Sequence, residues 1–275
     1  MLGKSKKAIV LQSSPYLAWS ILFIIVPLFM VLYYGLTDAD GNFTLDNIAA
    51  IAQPEQARAF GLSLVLALAA TAICFLLAYP LAMILARRRT GERGLVTTLF
   101  LLPMWMNFLL RTFAWMTILE DGGVLNGILS ALGLPTAHII NTSGAIIIGM
   151  VYNFLPFMIL PLYNSLASID MNVINAARDL GATAVQTFFR VTLPLTVPGI
   201  LSGITMVFIP ALTTFAISTL LGGSKILLIG NIIEQEFTLT YDWNLGSGLS
   251  LVLMVFVIIN IVVSGISEHR EEAHK

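Results

Sequence analysis

Residues 175–200 read NAARDLGATAVQTFFRVTLPLTVPGI, a polar-patterned stretch set between long apolar runs. Just before and within it, Ile169, Val173, Ala177 and Leu180 follow one another at spacings of four, four and three, which places them on one face of a helix. The other face is polar. Asp170 is placed to cap the start by accepting a backbone N–H, and Gly181 to stop the helix in the left-handed conformation. A second short helix is predicted from Thr183 to about Val191, ended by Pro194, which has no N–H to donate. Two short helices at an angle, between membrane spans, form a segment on which another protein can push. An amphipathic loop lying in the membrane interface satisfies the same periodicity, so the pattern alone leaves both readings open.

Outward from this stretch, composition fixes the class. Of the 275 residues, 57% are hydrophobic and 11% charged, and the mean hydropathy is +0.90. Such a chain is not a soluble domain. A spanning helix needs roughly 20 apolar residues. Six runs qualify, at 16–36, 60–86, 95–119, 144–166, 198–221 and 247–266. The connections are short, so the expected fold is all-α: a polytopic membrane protein with six transmembrane helices in one domain over 1–275, with a cytoplasmic loop at 167–197. The first run is too long for a signal-peptide core and no small-residue cleavage site follows it, which makes it a retained helix.

Counting Lys and Arg on alternate sides sets the orientation. Lys4, Lys6, Lys7, Arg87, Arg88, Arg89, Arg93, Arg178, Arg190, Arg270 and Lys275 lie on the side of the N-terminus, against only Arg58 and Lys225 opposite. Both termini and the 175–200 stretch are therefore expected in the cytoplasm. The opposite loops hold Asp38, Asp40, Asp46, Glu55, Glu120, Asp121, Glu234, Glu236 and Asp242. An acidic outer mouth concentrates cations, although outer loops depleted of Lys and Arg look acidic in any such protein.

Several chemistries are excluded. The lone Cys74 falls inside a span and reads as packing. No HExxH and no Cys/His cluster at metal-ligand spacing occurs, so no metal site is expected. The phosphate-binding GxxxxGK[ST] pattern is missing as well, since Gly222-Gly223-Ser224-Lys225 is too compressed. Any nucleotide hydrolysis belongs to another chain. The basic run 87–93 is a turn whose positive charge sets topology, not a nucleic-acid site.

Six spans, a patterned loop between the fourth and fifth, and no ATPase motif resemble an ABC importer permease. In that family a segment of the form E-A-A, three residues, G, nine residues, I, one residue, L-P makes the coupling helices that seat in the ATPase subunit. Ala176, Ala177, Gly181, Leu193 and Pro194 match it, with Val191 for the Ile and Asn175 for the Glu. Losing that charge turns any ion pair made there by relatives into a neutral hydrogen bond. Arg178 and Asp179 complete the expected ATPase contact.

The resemblance narrows to the spermidine/putrescine (PotB-type) permeases and covers nearly the whole chain. It rests on Leu102-Pro103-Met104-Trp105-Met106-Asn107 with Arg111, on Leu155-Pro156-Phe157-Met158 and Leu160-Pro161-Leu162-Tyr163, and on Ala176–Ala182. Leu221-Gly222-Gly223, Leu228-Ile229-Gly230-Asn231 and Asp242-Trp243 complete it. It implies a multi-pass protein of the bacterial inner membrane that is not itself an enzyme. Implied partners are a second homologous permease, two ATPase subunits carrying ATP and Mg, an extracytoplasmic polyamine-binding protein and membrane lipid.

A polyamine carries several ammonium groups on methylene stems, so its path should offer carboxylates, carbonyls and aromatic faces. No Asp or Glu lies within a predicted span, and Glu120 and Asp121 sit just past the outer end of the third. Aromatics then carry more of the recognition. Trp105, taken as the middle of the third span beside Asn107, is the first pathway candidate. Trp115, about 15 Å further along by helical rise, belongs nearer the outer mouth, with helix packing or an interfacial belt as its other reading. Phe215 matches an aromatic position of the polyamine permeases. Relatives follow it with an aromatic and then an acid, where this chain has Ala216 and Thr219.

Arg111 is the one basic residue inside a predicted span, and an intramembrane charge costs at least about 2.5 kcal/mol without a partner or a duty. Facing the pathway it would favour an anion. A structural role, bonded to helix carbonyls or to Glu120 or Asp121, fits a family whose members carry it. Pro156, Pro161 and Pro210 interrupt the ladder of the fourth and fifth spans, as kinks or as cavity-lining breaks.

The expected mechanism is alternating access driven from outside the chain, with 170–194 as lever and the outer loops 38–55 and 222–243 meeting the binding protein. An anion or sugar permease of the same type is the nearest competitor. A stand-alone secondary transporter is disfavoured because no span carries an Asp, Glu or His to bind a coupling ion.

Overall fold

A computed structural model describes residues 14–86 and 102–272. The expectations for Lys4, Lys6, Lys7, Arg87, Arg88, Arg89, Arg93, Lys275 and the first part of the third span lie outside the described residues. Among those described, the chain is mostly helical, its one strand-like feature being an antiparallel bridge between Thr37 and Phe43.

The helices of seven or more residues, in chain order, are α1 Ser14–Gly35, α2 Pro54–Ala86, α3 Phe108–Leu119, α4 Val124–Ala131, α5 Ser143–Ala167 and α6 Met171–Asp179. There follow α7 Ala184–Leu195 and α8 Val197–Thr213, bent by 63° to one another, then α9 Ala216–Gly222, α10 Ile229–Gln235 and α11 Trp243–Glu272. By length and apolarity α1, α2, α5 and the Trp243–Val262 part of α11 can each cross a membrane, and the α7–α8 pair makes a fifth candidate. The expected third span is described only from Leu102, and there it is split: a 3-10 turn covers Leu102–Trp105 and α3 starts after Asn107.

Prolines do not end helices here. Pro80, Pro156, Pro161 and Pro210 all lie inside continuous helices, as membrane helices tolerate where neighbours re-satisfy the freed carbonyls. Two π-helical turns, Ile21–Ile25 and Phe188–Thr192, stand just ahead of Pro27 and Pro194. A widened turn shifts the bonding register where an N–H is missing, so the helix expected to end at Pro194 runs on to Leu195.

The described residues form two compact units. One combines the chain up to Ala57 with Ile232–Val255. Its polar knot is the Thr37 carbonyl, which accepts from Asn47 Nδ2 at 2.8 Å and Asn244 Nδ2 at 2.6 Å. Beside it Trp243 meets Tyr34 and Phe237 with ring centroids 6.2 and 5.5 Å apart. The turn after α1 is held by Asp38, whose carboxylate accepts the Asn42 and Asp40 N–H groups. The Asn42 bond above all pulls its pKa below the ordinary value.

The other unit combines Arg58–Asn231 with the chain from Phe256 on. Its centre is α5 against α8, where small residues let backbones approach. A Cβ on Gly199 would fall 2.5 Å from Ser165 Cβ and 2.8 Å from the Pro161 carbonyl. One on Gly203 would meet Met158 Sδ at 2.7 Å. On α2 a stripe of Ala67, Ala70, Cys74, Ala78 and Ala82 is fully buried, consistent with packing as the role of Cys74.

Candidate functional site

The 170–195 segment is built by strong local signals. Asp170 Oδ1 accepts the Asn172 N–H at 2.9 Å and starts α6. At its end Gly181 adopts φ +84°. The Gly181 N–H reaches the Arg178 carbonyl at 2.8 Å and the Ala182 N–H the Ala177 carbonyl at 3.1 Å, the paired bonds of a Schellman stop. Thr183 then opens α7 with a reciprocal capping box, its hydroxyl accepting from Gln186 N–H while the Gln186 side chain accepts from Thr183 N–H.

The stripe expected on α6 divides between two surroundings, with Ile169 and Ala177 half-buried. Val173 is 46% and Leu180 90% exposed. Ile169 lines a cavity of about 280 Å³ with Met171, Ile174 and Arg178, together with Met83, Leu166 and Phe188. The two ends of that stripe differ, Ile169 meeting the cavity and Leu180 standing exposed. Val185 and Phe189 of α7 are exposed as well, so the segment presents apolar side chains outward on both helices. Asn175, Ala176 and Asp179 are exposed, Leu193 half-buried and Pro194 exposed.

The pathway candidates fall at two breaks in the helical backbone. Trp105, 80% exposed, lies in the 3-10 turn rather than in mid-helix. Asn107 caps α3, its Oδ1 accepting from Leu109 and Leu110 N–H at 2.8 and 3.4 Å, so that oxygen is committed to backbone. The second break separates α8 from α9: Thr214 is extended (φ −66°, ψ 139°) and Phe215 precedes the new helix. The Phe215 ring is 46% exposed. Hydropathy is continuous across both breaks, which is why the sequence showed spans there and no interruption.

Trp115 is packed on Tyr152 edge to face, centroids 5.3 Å apart, which supports its packing reading. Glu120 is the C-cap of α3, and Asp121 faces His138 Nδ1 at 2.7 Å on the surface. Neither carboxylate reaches Arg111. That side chain is 8% exposed, and its Nε and Nη1 have no hydrogen-bond partner among the described residues. Among the described residues, the bonds to helix carbonyls or to Glu120 or Asp121 expected for it are not made.

The family described as "Binding-protein-dependent transport system inner membrane component" matches residues 7–271. The chain belongs to this family. Among similar proteins, the spermidine/putrescine transport system permease protein PotB of Haemophilus influenzae is 41% identical over 254 residues, covering 90% of this chain and 89% of that protein. The PotB of Escherichia coli is 39% identical over 253 residues, covering 89% of this chain and 92% of that protein. Among solved structures, a bacterial ABC transporter involved in the import of the acidic polysaccharide alginate superposes with a TM-score of 0.79 at 19% identity, over 96% of each chain. That likeness places the chain in the ABC importer permease fold.

As an inner membrane component of a binding-protein-dependent system, the chain is a multi-pass membrane protein. One of its structured regions was missed from sequence. The expected outer loop 222–243 turns inward at its middle: Leu228 and Ile229 are fully buried and Asn231 is 3% exposed. Ile229 N–H donates to Ser63 Oγ of α2 at 2.9 Å. The apolar run Ile226–Ile229 was the available signal, but at four residues it is too short to register against a span-length window.

Proposed function

We propose that the chain is the permease subunit of an ATP-driven polyamine importer, forming half of the translocation pathway and coupling to ATPase subunits through residues 170–194. The observation that carries the coupling is the α6–α7 segment: rigidly capped at both helices, yet showing Val173, Leu180, Val185 and Phe189 to solvent. Exposed apolar side chains on a stiff polar-flanked element mark a docking surface. The polyamine substrate is carried over from the PotB relatives.

In this reading a second permease completes the pathway, two ATPase subunits hold ATP and Mg, and a polyamine-loaded binding protein docks on the acidic outer loops. Both termini lie in the cytoplasm, following the Lys and Arg bias. ATP closes the ATPase dimer, the 170–194 lever moves, and the spans open outward. Hydrolysis then restores the inward-open state. With no carboxylate in the described spans, the ammonium groups meet aromatic faces and carbonyls at the two helix breaks, where a backbone freed from its ladder can line a cavity.

An anion permease is the second reading, and Arg111, whose Nε and Nη1 have no partner among the described residues, is what favours it. ATP-dependent uptake of labelled spermidine into vesicles holding the four components decides between them, with putrescine, sulfate and maltose as competitors. Inhibition by putrescine alone supports the polyamine reading; ATP-dependent activity without spermidine uptake ends it.

A further inference from the structure

The break between α8 and α9 is filled from one side by residues 228–231. Gly230 sits so close that a Cβ there would fall 2.7 Å from the Thr213 carbonyl oxygen and 2.9 Å from that of Thr214. Beside it the Asn231 side chain uses both ends of its amide. Its Oδ1 accepts from Ser218 Oγ at 2.6 Å and from Leu228 N–H at 3.0 Å. Its Nδ2 donates to the Phe215 carbonyl at 3.2 Å and to Thr219 Oγ1 at 2.8 Å. The Thr219 hydroxyl also donates to that carbonyl at 2.9 Å, and the single Ser218 hydroxyl hydrogen is shared between it, at 2.8 Å, and Asn231 Oδ1.

One buried amide therefore ties the inward-turning segment to the first turn of α9 and to the backbone of Phe215. The partners differ in exposure. Asn231 and Ser218 are buried, while Thr219 and the Phe215 ring are open. A side chain fully paired in a low-dielectric setting fixes geometry rather than binding ligand, and the geometry fixed is that of the two exposed groups.

We propose that Asn231 is the positioning residue of the transport pathway: its amide locks the α8–α9 break and so holds the Phe215 ring and the Thr219 hydroxyl toward the passing amine. The proposal rests on the polyamine reading for its substrate, and on geometry alone for the placement of Phe215. Removing the amide should then uncouple transport from ATP use, because the ATPase contact lies elsewhere on the chain and is untouched.

The test compares the reconstituted complex carrying Asn231→Leu or Thr219→Val with the unaltered one. The readouts are spermidine taken up per ATP hydrolysed and, in a Cys74→Ala background with Phe215→Cys, the rate of labelling of position 215 by a cationic thiol reagent. N231L is expected to lower uptake per ATP about ten-fold, leave ATPase stimulation by the loaded binding protein within about two-fold and change the labelling rate several-fold. T219V should act in the same direction by about two- to three-fold, and it decides alone if N231L does not assemble. Uptake and ATPase falling in parallel, or an unchanged ratio with unchanged labelling, overturns the proposal. An unaltered complex that takes up no spermidine removes the polyamine reading instead, while the labelling comparison still decides the position of Phe215.

Discussion

The Ala182 N–H closes on the Ala177 carbonyl at 3.1 Å only because Gly181 between α6 and α7 stands at φ +84°. No atom lies within 4 Å of where a Gly181 Cβ would be, so a side chain there meets no clash. Its whole cost is backbone strain, on the order of 1–2 kcal/mol for an ordinary residue and more for a β-branched one. Gly181→Ala is expected to keep a reduced uptake and Gly181→Val to abolish it, with membrane insertion normal in both. Wild-type uptake by the valine variant would remove 170–194 from the coupling role.

The α5–α8 packing gives a second prediction. A methyl on Gly199 must displace Ser165 Cβ and the Pro161 carbonyl oxygen, and the latter is backbone in a continuous helix. Gly199→Ala should therefore destabilise the protein by about 1–3 kcal/mol, the usual range for overpacking a filled interior. A melting curve of the purified complex in detergent checks it; an unshifted midpoint means the two helices separate more easily than their contact implies.

The caps that built the coupling segment were legible because each is a one-residue chemical device: Asp170 at the start of α6, Gly181 at its stop, Thr183 at the start of α7. How the α6 stripe divides was not, since periodicity groups Ile169 with Leu180 without saying that only the former meets the cavity. The breaks at Asn107 and Thr214 were hidden for a different reason. Both lie in runs apolar enough to read as continuous spans, and the proline nearest the second, Pro210, sits within α8 and does not mark it. Family likeness drew attention to Trp105, Asn107 and Phe215 without revealing that all three flank interruptions. Asn231 was quoted only as part of a resemblance; its four hydrogen bonds come from residues up to 16 positions away in the chain.

Trp105 and Trp115 separate recognition from packing. Trp105 is 80% exposed and touches little that holds the fold, so Trp105→Ala should lower spermidine uptake several-fold while leaving the melting temperature within error. Trp115 stacks edge to face on Tyr152, and Trp115→Ala forfeits that pair, about 0.5–1.5 kcal/mol beyond the lost burial. It should lower stability first and uptake only in proportion to the folded complex. The reverse ordering of the two variants would exchange their roles.

Arg111 supplies the last prediction. Its side chain is buried, with Nε and Nη1 unpartnered among the described residues, while Asp121 is engaged with His138. A buried charge without a counter-charge opposes folding by several kcal/mol, whereas methionine fills a similar volume without that cost. Arg111→Met is therefore expected to raise the melting temperature of the complex. If the charge steers substrate, the same variant loses uptake despite its greater stability; if it does not, uptake is kept. A lower melting temperature would mean that Arg111 has a structural partner after all, one reached only in the assembled transporter, and the nearest place to look would be a carboxylate of the second permease.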